Sequence, residues 1–361
     1  MNNESNMVIR NRTYDNLRII ATILVLLGHC TYYIIVTDYG GGDYSRFAEN
    51  KTLIYRLFDT ITMIIYLFHM PLFMALSGAL FLDSLKRGKY STLKELLKEK
   101  GKRLMLPFLV VSICYSFPLK LVSGYYSESH NLFSDFLIGQ ILLQGDSHLW
   151  YCFVLFLIFI VVYILEKYFM RDSIIKLGIL LIFHVLSFVV EIVLFSKVLN
   201  YAFWFYMGVF FEEKRERFEK AVEKKCFWIS ATVLIPIMYS CYDLLCRQDD
   251  FSLVVVSKVI KIGLTSVLCL CMYGIAYVLT KTKIMKTKIC RLLRNDSYGI
   301  YLYSDSWNYV LLLFGTTYFG EDIFASNVGV LAFYCTRFCV TLVVSIMVTE
   351  ILRKCKVKYM Y

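Results

Sequence analysis

The sequence predicts an all-α polytopic membrane protein of about ten transmembrane helices, with both termini on the cytoplasmic side. Three observations carry that prediction. Of 361 residues, 58% are hydrophobic and 19% charged, with a mean hydropathy of +0.59, too apolar for an ordinary soluble domain. Apolar runs near the ~20 residues that a bilayer-crossing helix needs recur from end to end. Basic residues fall on alternate connections. With the N-terminus inside, the cytoplasmic segments hold 30 of the 39 Lys and Arg. The outer segments hold six (Arg46, Lys51, Arg56, Lys120, Lys197 and Arg247), and Lys258, Lys261 and Arg337 lie within spans. Short cytoplasmic loops are rich in Lys and Arg, so the net charge of +11 reads as topology and not as a nucleic-acid surface.

A polar, basic cytoplasmic tail occupies residues 1–13, the transmembrane domain residues 14–351, and a second basic tail residues 352–361. The first span is expected over 17–36, followed by the glycine-rich loop TDYGGGDYSRFAENK. Span two lies near 66–82 with an amphipathic lead-in from 52, and a strongly basic loop separates it from span three, 105–122. The polar segment 123–147 precedes spans four (148–165) and five (174–194). Span six, 199–211, reads as short. Spans seven to ten are expected over 226–245, 253–279, 297–315 and 328–351. No small-residue cleavage site follows the first apolar run, so it is expected to be retained. The twelve Cys are scattered mostly within apolar runs or on basic loops, and Cys269–Cys271 and Cys335–Cys339 lack nearby His or acidic partners. That pattern predicts packing residues, with no metal site and no disulfide framework.

The stretch YDNLRIIATILVLLGH, residues 14–29, carries Asp15, Arg18 and His29. Arg18 and His29 are eleven residues apart, so on a helix they fall within about 20° of one face and ~16 Å apart along the axis. Asp15, Thr22 and Tyr33 share that face. Ionisable groups inside a membrane are costly and mark cavities or partners, so an Arg at the rim below a deeper His points to chemistry that runs into the membrane.

These residues resemble the opening signature of the membrane-bound acyltransferase 3 family: Asp-x-Leu-Arg, with His eleven positions after Arg. Four further stretches are similar to family segments in the same order: FHMPLFMALSG (68–78), KGKRLMLPF (100–108), HLWYCFVL (148–155) and SYGIYLYS (297–304). Together they cover residues 14 to 351. The resemblance implies ten spans and transfer of an acyl group, most often acetyl from cytoplasmic acetyl-CoA, onto a hydroxyl of a cell-surface or lipid-linked saccharide. It implies the bacterial cytoplasmic membrane as location. Acyl-CoA, the saccharide or glycolipid acceptor, the bilayer and proteins of polysaccharide assembly are the implied partners; nucleic acid is not one. Two departures stand out. Lys100 replaces the first Arg of the loop motif, keeping charge but losing the planar fork. Where many relatives carry a His in span nine, this chain reads Tyr303, Ser304, Asp305.

Acyl transfer needs a base for the attacking hydroxyl or a nucleophile to hold the acyl group, and imidazole serves as either near neutral pH. His29 is the leading candidate, with Arg18 beside it as a CoA-phosphate or catalytic-rim residue that Asp15 would orient. Lys100 and Arg103 are expected to meet the nucleotide end of CoA through charge-assisted bonds. His69, His148, Trp150 and Asp305 are candidates for the acceptor side; Trp150 and Tyr151 equally fit an interfacial aromatic belt. His130 reads as a loop residue, His184 has no motif behind it, and Lys258 and Lys261 are expected to pair with acids or snorkel. A transporter that flips a lipid-linked sugar is the competing class. Paired repeats with broken helices would mark it, and the four Pro (Pro71, Pro107, Pro118, Pro236) show no such symmetry.

Overall fold

The computed structural model describes residues 12–43, 52–126, 131–145, 147–169, 172–319 and 322–361. The protein is nearly all-α. Among the described residues, seven helices are long and apolar enough to cross a membrane. They are α2 (Leu53–Lys86), α3 (Leu93–Val122), α5 (Trp150–Tyr168), α7 (Val193–Glu213), α9 (Lys225–Cys246), α10 (Phe251–Thr280) and α13 (Asn327–Lys354). The shorter helices are α1 (Arg12–His29), α4 (Leu132–Ile141), α6 (Ser173–Leu186), α8 (Arg215–Val222), α11 (Lys288–Tyr303) and α12 (Asp305–Phe319).

The three expected spans missing from the long set each differ from the sequence reading for a local reason. Span one does not run to residue 36. The helix stops at His29, and the β-branched run Ile34–Thr37 (β1) pairs antiparallel with Gly40–Asp43 (β2), Ile35 opposite Gly42. Gly41 takes a φ of 136°, and any Cβ there would strike the Ile35 carbonyl, so the turn requires glycine. Span five ends at Leu186, where Ser187 caps the last turn and its hydroxyl donates to the His184 carbonyl at 2.6 Å. Span nine is broken at Ser304 into α11 and α12. The loop between spans one and two from residue 44 to 51, and His130, lie outside the described residues.

Helix starts follow from short side chains. Thr52 accepts from the Tyr55 amide, and Thr92 accepts from the Glu95 amide while Glu95 reaches back to Ser91. The second pair is a capping box that turns part of the expected basic loop into the first turns of α3. Asp250 and Ser326 cap α10 and α13 in the same way.

The chain divides into two compact units. The first comprises residues 12–21 with 214–295. In it Asn16 donates to the Ala276 carbonyl at 3.1 Å, and the Asp15 carboxylate lies 4.0 Å from the Arg294 guanidinium. Helices α9 and α10 form a hairpin in which Gly274 leaves room for the Trp228 ring. Tyr273 and Tyr277 donate to Glu219 and Glu223.

The second unit comprises residues 22–213 with 296–361. Its centre is the pair α2 and α7, whose backbones touch. A Cβ on Gly78 would run into the Phe205 carbonyl, and one on Gly208 into that of Ala75. Small residues that let backbones approach are how helices associate where lipid removes the hydrophobic drive between them. Phe81, Phe159 and Phe205 fill the space beside this contact, edge against face. The end of the chain folds back as well: Met360 is buried and its carbonyl accepts from the Tyr303 hydroxyl at 2.8 Å.

Candidate active site

The break between α11 and α12 positions the site. A helix that stops inside the protein leaves carbonyls without partners, and these must be satisfied locally. Here the Leu302 carbonyl accepts from His148 Nε2 at 3.1 Å, and the Tyr303 carbonyl from the Tyr115 hydroxyl at 3.2 Å. The break also starts a new helix at Asp305, which is buried at 4% exposure. His148 reaches it from the residue pair before α5, where Ser147 bonds the first turn through the Trp150 amide.

Asp305 gathers four side chains. Its Oδ1 accepts from His29 Nδ1 at 2.7 Å, from the Tyr32 hydroxyl at 3.0 Å and from Asn308 Nδ2 at 3.5 Å. Its Oδ2 lies 3.3 Å from His148 Nδ1, close enough for ion pairing but too poorly aligned for a hydrogen bond. Helical spacing explains one of the four, Asn308 standing one turn beyond Asp305 on α12, whereas Tyr32 lies past the end of α1. His29 is partly exposed, with a side-chain accessibility of 20%.

Beneath this cluster lies Arg337 of α13, fully buried. Its three nitrogens donate to the Tyr32 carbonyl (2.8 Å), the His29 carbonyl (3.2 Å) and Asn308 Oδ1 (3.3 Å). A cation at a helix C-terminus satisfies orphan carbonyls and complements the helix dipole. Arg337 thereby holds the end of α1 that carries His29, and through Asn308 it touches the residue that holds Asp305.

The tautomer of His29 follows from this geometry. A carboxylate only accepts, so Nδ1 carries the proton toward Asp305 and the neutral ring has its lone pair on Nε2. An imidazole oriented by a carboxylate in this way can take a proton from a hydroxyl or attack a carbonyl carbon. His69 sits nearby across the Tyr66 ring, with ring centroids 6.2 Å from His29 to Tyr66 and 4.9 Å from Tyr66 to His69. It is buried, and its Nδ1 donates to the Ile65 carbonyl at 2.9 Å.

The remaining sequence candidates fall elsewhere. Trp150 faces Tyr201 at 5.1 Å between centroids and lies under the Lys197 ammonium. Lys100 turns its ammonium onto the Phe159 ring, 3.7 Å from the centroid. Arg103 is exposed, and its carbonyl accepts from the Tyr298 hydroxyl. Arg18 is half-buried on α1 and belongs to the first unit. His184 donates to the Asn200 carbonyl, and Lys261 lies over the Tyr242 ring. Tyr32, Asn308 and Arg337 were not singled out by sequence reasoning. For Arg337 the signal existed, since a charge inside an apolar span is expensive unless it has partners.

A family model described as an acyltransferase domain, that of the acyltransferase 3 family, matches residues 11–350, nearly the whole chain. No curated protein and no solved structure matches it.

Proposed function

Because the chain belongs to the acyltransferase 3 family, we propose that it moves an acyl group, acetyl before longer chains, from cytoplasmic acetyl-CoA to a saccharide hydroxyl. The acceptor is a cell-surface or lipid-linked saccharide, and the setting the bacterial cytoplasmic membrane with both termini inside. The observation that carries the reading is the 2.7 Å bond from His29 Nδ1 to Asp305.

With Nδ1 committed to Asp305, His29 Nε2 removes the proton of the acceptor hydroxyl as its oxygen attacks the thioester carbonyl. The tetrahedral intermediate collapses by breaking the carbon–sulfur bond. The proton held on Nε2 passes to the departing CoA thiolate, which restores the starting tautomer. Asp305 stabilises the imidazolium formed in between, and Tyr32 and Asn308 keep that carboxylate aimed. The same imidazole could instead accept the acyl group itself; Asp305 supports either step.

Arg103, being exposed, is proposed to meet the donor's phosphates. Lys100, as placed, stiffens that segment through its contact with the Phe159 ring. Arg18 is proposed to attract the anionic donor through its charge. His148, beside Asp305, and His69, across the Tyr66 ring from His29, are proposed to stand on the acceptor side.

Purified full-length protein incubated with acetyl-CoA tests the class of activity. A transferase should bind the donor and release CoA; a flippase should do neither. Arg103→Ala should weaken donor binding more at low salt than at high salt, because the attraction is screened. Equal affinity at both ionic strengths would remove Arg103 from the donor site.

A further inference from the structure

Nine side chains of the second unit have buried polar atoms without a hydrogen-bond partner among the described residues: Tyr33, Ser112, Ser116, Gln140, Ser147, His148, Asp296, Ser306 and Tyr334. Five of them, Ser112, Ser116, Gln140, Ser147 and Ser306, are at most 2% exposed and make no side-chain hydrogen bond at all. For Gln140 both amide atoms are unpaired. Native interiors pair almost all such groups, and in a membrane protein no surrounding water can help, so each calls for a ligand or an ordered water.

Their placement is not scattered. Ser147 adjoins His148, and Ser306 adjoins Asp305, the two residues whose side chains stand 3.3 Å apart. Ser112 and Ser116 bound a π-helical turn of α3, Ser112–Ser116. Tyr115 of that turn accepts the Trp307 indole N–H at 2.8 Å and donates to the Tyr303 carbonyl, which pins the turn against the break before Asp305. Gln140 sits in a second π-helical segment, Asp135–Ile141. There the Gly145 amide donates to the Gly139 carbonyl at 2.9 Å, and Phe136 of the segment packs on Phe117 of α3 with ring centroids 4.4 Å apart. π-helical turns are rare and concentrate at functional sites.

We propose that these five residues form the binding site for a polyhydroxylated acceptor beside the His29–Asp305 pair. The inference rests on the transferase reading above and deepens it. Serine hydroxyls donate and accept, and a primary amide offers both kinds of group side by side. Neighbouring hydroxyls on one sugar ring match that set; a monohydric alcohol would leave most of it unpaired, which is how a polar site rejects the wrong substrate.

The experiment measures CoA release by purified full-length protein with acetyl-CoA, in the presence of methyl glucoside, methyl N-acetylglucosaminide or 1-propanol. A glycoside should stimulate release saturably, and 1-propanol at equal concentration should not. Gln140→Leu and Ser147→Ala should each raise the KM for the glycoside by about tenfold, the scale of one lost hydrogen bond, and far more than the KM for acetyl-CoA. Folded protein is counted by gel filtration. Should Gln140→Leu not fold, the smaller change Ser147→Ala carries the comparison. Stimulation by 1-propanol equal to that by glycosides, or an unchanged glycoside KM in folded variants, would overturn the site and leave only ordered water there. CoA release that no glycoside stimulates would overturn it too while sparing the transferase. No release at all by the wild type would instead bring down the transferase reading itself.

Discussion

Helices α9 and α2 are similar as sequences and different as structure. The best apolar windows of the two have mean hydropathies of 1.5 and 1.8, yet only 6% of the α9 window is buried against 56% of the α2 window. In the first unit, α9 presents Ile229, Val233 and Ile237 outward, and the polar bonds that tie the unit together lie at helix ends, from Glu219 and Glu223 to Tyr273 and Tyr277. In the second unit, α2 is packed glycine to carbonyl against α7, and polar residues such as Asp305, Asn308 and Arg337 are buried and bonded to one another. Hydropathy reports that a segment prefers lipid to water. It does not say which face meets lipid and which meets protein, and the polar network stands where faces meet protein.

The largest effect that would sharpen this contrast is at His29. His29→Ala should lower turnover per folded molecule at least about a hundredfold, the usual worth of a positioned base, while donor binding survives. Retention of more than about a tenth of wild-type turnover would remove His29 from the chemistry. Asp305→Asn comes next. The amide keeps the shape but cannot accept from His29 as a carboxylate does, so turnover should fall by one to two orders of magnitude with little change in the KM for acetyl-CoA.

Packing should show the same asymmetry on a smaller scale. Gly208→Ala places a Cβ on the Ala75 carbonyl and forces α2 and α7 apart, a strain of roughly 1–3 kcal/mol that thermal unfolding in detergent would register as a lower midpoint. Ile229→Ala, at a residue 65% exposed on α9, should move that midpoint hardly at all, within about 0.5 kcal/mol. Equal shifts for the two variants would break the comparison. The smallest expected signal is a null one: Lys98→Cys, exposed on α3, should resist an impermeant thiol reagent in intact cells if that loop faces the cytoplasm.

How far the site could be read in advance varies by residue. His29 was legible from its spacing to Arg18, and Asp305 and His148 were named, but as separate acceptor-side groups. That they form one cluster depends on a helix break at Ser304, and nothing in SYGIYLYSDSW announces a break: it holds no proline, and Gly299 lies inside α11. The break persists because its freed carbonyls find His148 and Tyr115, which lie over 150 residues away in the chain. Likewise the end of α1 at His29 depends on Arg337, 308 residues further on.

By itself the amino-acid sequence determined the class of solvent and the family, and it singled out His29 as the candidate for the chemistry. Those depend on local quantities: apolar run length, the placement of Lys and Arg between runs, and side chains at a fixed separation on one helix. Tertiary structure decided where helices stop, which polar residues share a bond and which apolar faces are core. Those are set by long-range partners, since a buried carbonyl or carboxylate is tolerated only where another segment brings the matching donor. The Asp305 carboxylate shows the division: its presence in an apolar span was plain from the sequence, and its bonding partners His29, Tyr32 and Asn308 came only with the tertiary structure.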